Sequence, residues 1–148
     1  MTCQLDWGSR EYHVLHVNPA SFSGTPGLSM LRLYNVGQLQ LVPRSFSSLP
    51  ALVELALVNC GLTAVPAALS GVRHTLQRLD LICNTEMQID QAGFDTLLAL
   101  PVLESVNLKK SLYPGSSNWT DCSVSFLVRF LSEWQDLRPG APRPALCS

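Results

Sequence analysis

The chain has 148 residues, of which 47% are hydrophobic and only 14% are charged, and its formal net charge is −1. This length predicts one domain with a core of its own, and the high apolar fraction excludes a disordered chain. The near-zero charge, with Lys109 and Lys110 as the only lysines, leaves no basic patch, so no nucleic acid or anionic membrane surface is expected as a partner.

Targeting and membrane segments are not expected either. There is no run of about 18 apolar residues, so insertion into a membrane is not predicted. The N-terminal segment, residues 1–27, contains Asp6, Arg10 and Glu11 and lacks the apolar stretch of a secretory signal peptide. Together these features favour an intracellular location.

The first predicted element is an edge strand within an N-terminal cap, residues 1–27. Tyr12, Leu15 and Val17 are spaced like the apolar residues of the segments that follow. The interval from Tyr12 to Leu28 is too short for a complete repeat unit. The alternative is a repeat whose first half is missing from the chain.

Three segments with the pattern LxxLxL follow, and a fourth has Val106 in place of the middle leucine. They begin at Leu28, Leu52, Leu76 and Leu103, so the first two intervals are equal and the third is slightly longer. Apolar residues two positions apart lie on one face of a short strand. About 18 residues then return the chain to the start of the next strand, and this return requires parallel pairing.

The residues after each strand repeat as well, for example Cys60, Leu62 and the pair Val65-Pro66 after the second strand. This pattern resembles the leucine-rich-repeat family over residues 28–112. The resemblance implies an α/β solenoid with a short parallel β-sheet on the concave face, irregular, 3-10 or helical arcs on the convex side, and one continuous core. In this family an Asn or Cys position turns the chain and bonds to neighbouring backbone. Here that position is occupied by Val36 or Asn35, Cys60, Asn84 and Ser111.

The arcs between the strands are predicted to differ from one another. Those that carry Pro43 and Pro66 should be short, irregular or 3-10. The arc over residues 90–100 should be helical, because its apolar residues follow helix spacing up to Pro101.

The C-terminal cap is predicted over residues 113–138, with a helix at 123–137 that Asp121 or Ser123 can cap. Its apolar residues share one face: Val124, Leu127, Phe130, Leu131 and Trp134. We expect the helix to cover the open strand edge at 106–108. Residues 139–148 are predicted to be a flexible tail.

The five cysteines are Cys3, Cys60, Cys83, Cys122 and Cys147. There is no CxxC motif, so no metal site is predicted, and nothing calls for a cofactor. The odd number of cysteines favours free thiols. A Cys122–Cys147 disulfide is the alternative, because secreted members of the family carry cysteines in their caps. The sequon Asn118-Trp119-Thr120 matters only if the chain is secreted.

Catalysis is not predicted. The histidines His13, His16 and His74 are not accompanied by a nucleophile elbow, a paired-carboxylate cleft or an HExxH motif. His16 and His74 are interpreted as surface residues.

A binding surface is predicted on the concave face. With the segments in register, Tyr34, Val58 and Ile82 share one column and should form an exposed apolar stripe, with Lys109 at the same position of the fourth strand. Apolar anchors inside a polar rim are typical of protein interfaces. The predicted partner-binding residues are Tyr34, Val58, Ile82, Arg32, Asp80, Asn107 and Lys109. The alternative is an ordinary strand surface without a partner, because Val and Ile suit strands.

Two further expectations concern the same face. Glu54 and Arg78 stand opposite each other and should form an ion pair worth at most about 1 kcal/mol. Four strands about 4.8 Å apart span only about 15 Å, whereas a standard interface needs about 800 Å² per partner. Binding is therefore weak, or loops contribute, or the chain belongs to a larger protein.

The leading hypothesis is a non-catalytic protein–protein interaction module that binds a protein partner on its concave face. The alternative is a ligand-binding ectodomain fragment of a cell-surface leucine-rich-repeat receptor, with a peptide or glycan ligand. The state of the cysteines and of Asn118 discriminates between the two.

Overall fold

The computed structural model describes residues 14–108 and 124–146, with side chains of the second range described from residue 128 onward. It is a mixed α/β structure. In chain order the strands are β1 (Val14–Val17), β2 (Met30–Tyr34), β3 (Gln38–Leu41), β4 (Glu54–Val58), β5 (Arg78–Asp80), β6 (Ser105–Asn107) and β7 (Ala145–Leu146). The main sheet is parallel and has the order β2-β4-β5-β6-β7, while β1 and β3 form a second parallel sheet.

The register of the main sheet confirms the one predicted from the leucine spacing. Met30 pairs with Glu54 and Glu54 pairs with Arg78, so the first two steps along the sequence are equal. Arg78 pairs with Ser105, a slightly longer step, and Ser105 pairs with Ala145, which is the longest step. The return segments thus lengthen along the sheet while the strands stay in register.

The N-terminal strand β1 pairs with β3 in the second sheet, so the expectation that it is the edge strand beside the leucine segments is wrong. Leu15 pairs with Leu39 and Val17 with Leu41, the same step in sequence as between β2 and β4. The apolar alternation of β1 therefore matches that of β3, which follows the sharp turn after β2. β1 thus corresponds in register to β3.

The segments that return to the main sheet have the predicted forms. Residues 43–48 are turns, Ala67–Val72 is a 3-10 helix, and α1 covers Gln91–Leu98. Asp90 caps α1, because its carboxylate accepts a hydrogen bond from the Gly93 N–H at 2.8 Å. A further 3-10 helix, Pro19–Phe22, follows β1, and α2 covers Val124–Leu137.

The core lies between the main sheet and these returning segments. The four leucines at the centre of the repeat pattern, Leu55, Leu57, Leu79 and Leu81, are all buried, as predicted. On the other side the core contains residues from both 3-10 and α-helical returns: Leu69, Val72, Phe94, Leu97, Phe130 and Trp134. No single unit could bury this apolar surface by itself.

The Asn/Cys position bonds to neighbouring backbone, as the resemblance implies. Asn84 donates to the carbonyls of Leu57 (2.8 Å) and Leu81 (2.9 Å), and it accepts from the N–H groups of Cys60 (3.0 Å) and Leu62 (3.3 Å). The equivalent Cys60 thiol donates to the Leu33 carbonyl at 3.4 Å. Ser111 lies outside the described residues.

One position in each turn adopts a left-handed backbone. Asn35, Asn59 and Cys83 have φ values of 55°, 53° and 66°. Asparagine tolerates this region better than most residues, and the Asn59 amide donates to the Asn35 side-chain oxygen at 3.0 Å. Cys83 is the exception in residue type at this position.

The C-terminal residues correct two predictions. Helix α2 packs beside α1 and does not cover the edge of β6: the Phe130 and Phe94 rings meet edge to face at 5.7 Å, and Arg138 donates to the Leu98 carbonyl at 2.6 Å. The predicted flexible tail contains β7, which pairs with β6, and the Ala145 N–H donates to the Glu104 carbonyl at 2.7 Å. The buried side chains of Phe130 and Trp134 belong to the core, and the Phe130 ring contacts α1 through Phe94, whereas β7 covers the strand edge.

Candidate protein-binding face

The main sheet has one face on the core and one face turned away from it. Leu31, Leu55 and Leu79 stand in register on the core side. Because successive side chains alternate along a strand, the residues between them lie on the opposite face, which we call the outer face. Its rows are Met30, Glu54, Arg78 and Ser105; Arg32, Ala56, Asp80 and Asn107; and Tyr34 and Val58.

The structure places most of the predicted binding residues together on this outer face. They are Arg32, Tyr34, Val58, Asp80 and Asn107. Ile82 lies shortly after β5, and the Asn59 N–H donates to its carbonyl at 3.0 Å, so pairing with the neighbouring strand continues there. Lys109 lies outside the described residues.

The predicted exposed stripe is wrong at Val58. Tyr34 is 48% exposed, but Val58 is only 3% exposed and Ile82 is half-buried. Val58 is a short side chain on a central strand, with the larger Tyr34 beside it at the same register. Ala56, which lies between Arg32 and Asp80, is buried at 3% for the same reason. Burial on a sheet face thus depends on the height of neighbouring side chains as well as on strand alternation.

The exposed apolar surface of the outer face is concentrated on β2. Besides Tyr34, Met30 is 45% exposed on the same strand. The sequence places Met30 in the first column of the sheet, but its neighbours Glu54 and Arg78 made that column look purely polar. Met30 was therefore missed as a candidate binding residue.

A row of ion pairs crosses the outer face. The predicted Glu54–Arg78 pair is confirmed, with 3.4 Å between Arg78 Nε and Glu54 Oε2. Arg32 approaches the other Glu54 oxygen at 2.9 Å, and Arg78 Nη1 lies 3.8 Å from a Glu104 oxygen. The hydrogen bond from Arg32 lowers the pKa of Glu54. The diagonal Arg32 contact was missed, although long side chains can reach such neighbours.

Asp80 is held near the centre of the outer face. Its carboxylate accepts a hydrogen bond from the Ile82 N–H at 3.0 Å. Burial raises the pKa of Asp80, the Ile82 hydrogen bond lowers it, the Glu54 charge raises it and the Arg32 charge lowers it. Asp80 is thus a hydrogen-bonded, half-buried carboxylate on the outer face.

The cysteines differ from the expectation of free thiols. Cys83 is disulfide-bonded, whereas Cys60 is a free thiol. Burial raises the pKa of the Cys60 thiol to about 11, so it carries no thiolate at neutral pH. An odd cysteine count requires only one unpaired cysteine, and Cys60, enclosed in the core, can be that residue.

The remaining candidates are less informative. His16 is exposed, and exposed His74 accepts a hydrogen bond from Arg73 Nε at 3.1 Å. A cavity of about 380 Å³ is lined by β3 and residues 61–68. Within residues 14–108 and 124–146, no group of three or more His, Cys, Asp or Glu side chains could hold a metal ion.

The helices were also compared with the length and hydropathy that a membrane span requires. In the part of the chain that the structure describes, none of them meets both requirements.

Comparison of the chain with protein-family models, with curated proteins and with solved structures gave no match.

Proposed function

We propose that the chain is a leucine-rich-repeat solenoid that acts as a non-catalytic protein–protein interaction module. The observation that carries the proposal is the register, in which strands separated by nearly constant intervals of sequence align equivalent positions. The hydrogen bonds from Cys60 and Asn84 to the preceding repeat support it further. Stacked units with these features are typical of solenoids, whose sheet lines a binding surface.

The partner binds the outer face, which is the concave face of the proposed solenoid. Tyr34 and Met30 supply an apolar anchor, and Tyr is among the residue types that most often dominate interface energies. The ion-paired Arg32 and Glu54 form a polar rim beside it. Val58 is the buried floor below the anchor and is not itself a contact.

The polar half of the contact surface lies on β5 and β6. Asp80 and Asn107 face the partner from neighbouring strands in register. Ile82 and Lys109 extend the surface beyond the strand ends, Lys109 as a prediction from the sequence alone. This distribution places the apolar anchor at one side of the face and the hydrogen-bonding groups at the other.

The size of the face limits the affinity. Five strands about 4.8 Å apart span about 20 Å, and each contributes at most three outward side chains. The area that so few side chains can bury is well below the roughly 800 Å² per partner of a standard interface. We therefore expect a Kd in about the micromolar range unless loops or further repeats add to the contact.

The disulfide at Cys83 favours a second candidate function, the ligand-binding ectodomain fragment of a cell-surface receptor. Disulfides persist mainly in oxidising compartments such as the cell exterior. In this case the ligand is a peptide or glycan, and it uses the same outer face.

Site-specific photo-crosslinking tests the proposed surface. A benzophenone amino acid replaces Tyr34, which preserves an aromatic ring at the anchor, and in a control protein it replaces Val128, which is 63% exposed on α2. Both proteins are irradiated in cell extract and, separately, on intact cells. We expect a discrete crosslinked protein from position 34 and none from position 128.

Two other results decide the remaining questions. A crosslink that forms only from position 128 would move the binding site to the helical side and contradict the proposal. A crosslink from position 34 that forms only on intact cells would favour the receptor ectodomain over the intracellular module.

A further inference from the structure

Asp80 is an unusual residue for its place in the sheet. It lies in β5, the central strand of the five-stranded main sheet, although aspartate is depleted in strands. Its side chain belongs to the outer face and is half-buried. Charged side chains are rarely buried without a partner of opposite charge, so a cation is expected beside this carboxylate.

The positions beside Asp80 on the neighbouring strands do not supply that cation. Ala56 of β4 and Asn107 of β6 stand in register with Asp80, and both are uncharged. Arg32 lies one strand further, about 9.6 Å away at the backbone, and Glu54 holds its guanidinium at 2.9 Å. In the part of the chain that the structure describes, no lysine, arginine or histidine forms an ion pair with Asp80.

The ion pairs that cross the outer face are already balanced in charge. Arg32 and Arg78 both bind Glu54. Arg78 also approaches the Glu104 carboxylate at 3.8 Å. This network contains two arginines and two glutamates, so its cations are used by its own carboxylates. Asp80 is the carboxylate that the network leaves without a cation.

The Asp80 carboxylate is oriented and still has capacity to bind. Its Oδ1 atom accepts a hydrogen bond from the Ile82 N–H at 3.0 Å, and its Oδ2 atom has no donor among the described residues. Burial is the main influence on the pKa of Asp80 and raises it, which means that the free protein stabilises the charged form poorly. Carboxylates in such surroundings are frequent at functional sites. A cation from outside the chain would supply the missing stabilisation.

We propose that Asp80 selects a lysine or arginine side chain of the protein partner, and that the partner presents this cation near an apolar residue that packs on Tyr34. The proposal rests on the proposed function, because it names the chemistry of the partner that binds the same outer face. Hydrogen bonds between charged groups are about twice as strong as neutral ones. Complementary charge also discriminates against wrong partners, so Asp80 determines specificity while Tyr34 supplies the apolar anchor.

The sheet sets the spacing of the two partner residues. Tyr34 lies two strands from β5 and in the next row of the outer face, so the Cα atoms of Tyr34 and Asp80 are about 12 Å apart. An extended segment advances about 3.3 Å per residue, and a lysine or arginine side chain adds reach, so the cation lies about two to four positions from the apolar residue.

Selection from a peptide library tests this specificity. Phage that display random linear peptides of about twelve residues, which are long enough in extended form to cross the sheet, are selected on the immobilised full chain. Peptides that bind Tyr34→Ala equally well are discarded, so the remaining ones depend on the outer face. We expect these peptides to be enriched severalfold in lysine and arginine over the starting library, at the stated distance from an apolar residue.

The same selection on variants of Asp80 distinguishes charge recognition from a structural effect. On Asp80→Asn, which preserves the shape of the side chain, the enrichment should disappear. On Asp80→Lys it should shift to aspartate and glutamate, because the charge is reversed. Glu104→Gln is the matched control, since it neutralises an exposed carboxylate of the same sheet, and it should retain the enrichment. A peptide selected on the unmodified chain should bind Asp80→Asn about tenfold more weakly.

The outcomes distinguish this inference from the proposed function. Tyr34-dependent peptides without lysine or arginine would overturn the inference and leave the binding face in place. An enrichment that persists on Asp80→Asn would do the same. If no peptide depends on Tyr34, the inference fails as well, and the crosslink from position 34 then decides whether the outer face binds a protein partner at all.

Discussion

At the scale of single residues, Asn84 joins the turn after β5 to β4 and to the turn after β4 through backbone hydrogen bonds. Its amide satisfies two carbonyls, and its oxygen satisfies two backbone N–H groups, all inside the core. Buried backbone groups that lose their partners cost about 1–3 kcal/mol each, whereas a hydrogen bond that replaces one to water contributes less. Asn84 therefore stabilises the fold mainly by preventing unsatisfied groups.

We expect Asn84→Ala to lower the free energy of unfolding by about 2–4 kcal/mol, because it leaves several buried backbone groups without hydrogen-bond partners. Urea or thermal unfolding measures the change. The matched control is Thr85→Ala, an exposed neighbour, which should stay within about 0.5 kcal/mol. An Asn84→Ala protein as stable as the control would show that water replaces the amide and that the contact is not structural.

Asp80 predicts a pH dependence of stability. Its folded-state pKa is raised, chiefly by burial, so the native state binds the proton more tightly than the unfolded chain does. Stability at this site is therefore highest below the unfolded pKa and decreases as pH rises through the raised pKa. We expect Asp80→Asn to raise Tm at neutral pH and to leave it unchanged near pH 3.

Thermal melts between pH 3 and pH 8 measure this difference. Glu104→Gln, which neutralises a mostly exposed carboxylate, is the control and should not reproduce the pattern. If Asp80→Asn lowers Tm at neutral pH, then the carboxylate is stabilised in the folded state, and burial is not its dominant influence.

Burial could be predicted from the sequence where it follows from the local strand pattern. It could not be predicted where it depends on side chains from other parts of the chain. The burial of Leu55 and Leu79 follows from period-two alternation alone. The burial of Val58 depends on the side chains of the two adjacent strands, which come from other parts of the chain. The Cys83 disulfide depends on which cysteines are close in space, and the number of cysteines in the sequence does not give that information.

At the scale of elements, the C-terminal region covers the core with helix α2 and covers the edge of the main sheet with strand β7. Phe130 and Trp134 of α2 pack against the helical side, with the Phe130 ring against Phe94. β7 pairs with β6 and occupies the strand edge. An unpaired edge exposes hydrogen-bonding groups that promote association between chains.

Two truncations distinguish the contribution of β7 from that of α2. Removal of residues 139–148 should expose only the edge of β6 and produce concentration-dependent association with a modest loss of Tm. Removal from Ser123 onward also exposes the apolar surface under α2, so association should be stronger and the loss of Tm larger. Light scattering after size-exclusion chromatography and thermal melts provide the two readouts.

Two results would contradict these roles of β7 and α2. If the chain without residues 139–148 remains monomeric and melts at the same temperature, then β7 does not protect the sheet edge. If both truncations behave alike, then α2 contributes no stability beyond that of the tail.

Most elements could be predicted from the sequence, but two small ones could not. The bounds predicted for α2, residues 123–137, agree closely with Val124–Leu137, because a long apolar stripe defines a helix. β3 was missed because Gln38–Leu41 is a short strand whose pairing partner, β1, lies a whole repeat earlier in the chain. β7 was missed because so short a strand in a Pro-rich tail contains no strand pattern.

At the scale of the whole molecule, the parallel register organises both sheets. The same step in sequence separates β1 from β3, separates β2 from β4, and occurs again at the Ala64–Gln88 bridge. Returns of increasing length then add a 3-10 helix, α1 and α2 without disturbing the main sheet. The result is one continuous core and one outer face with its exposed apolar side chains on β2.

The central claim is that this outer face binds a protein partner through Tyr34. The most direct measurement is the Kd of the partner captured from position 34, determined for the unmodified chain, for Tyr34→Ala and for the control Val128→Ala. The account predicts at least about a tenfold loss of affinity for Tyr34→Ala, as expected of an interface anchor, with an unchanged Tm and an unaffected control. An equal Kd for all three proteins, with equal Tm values, would contradict it.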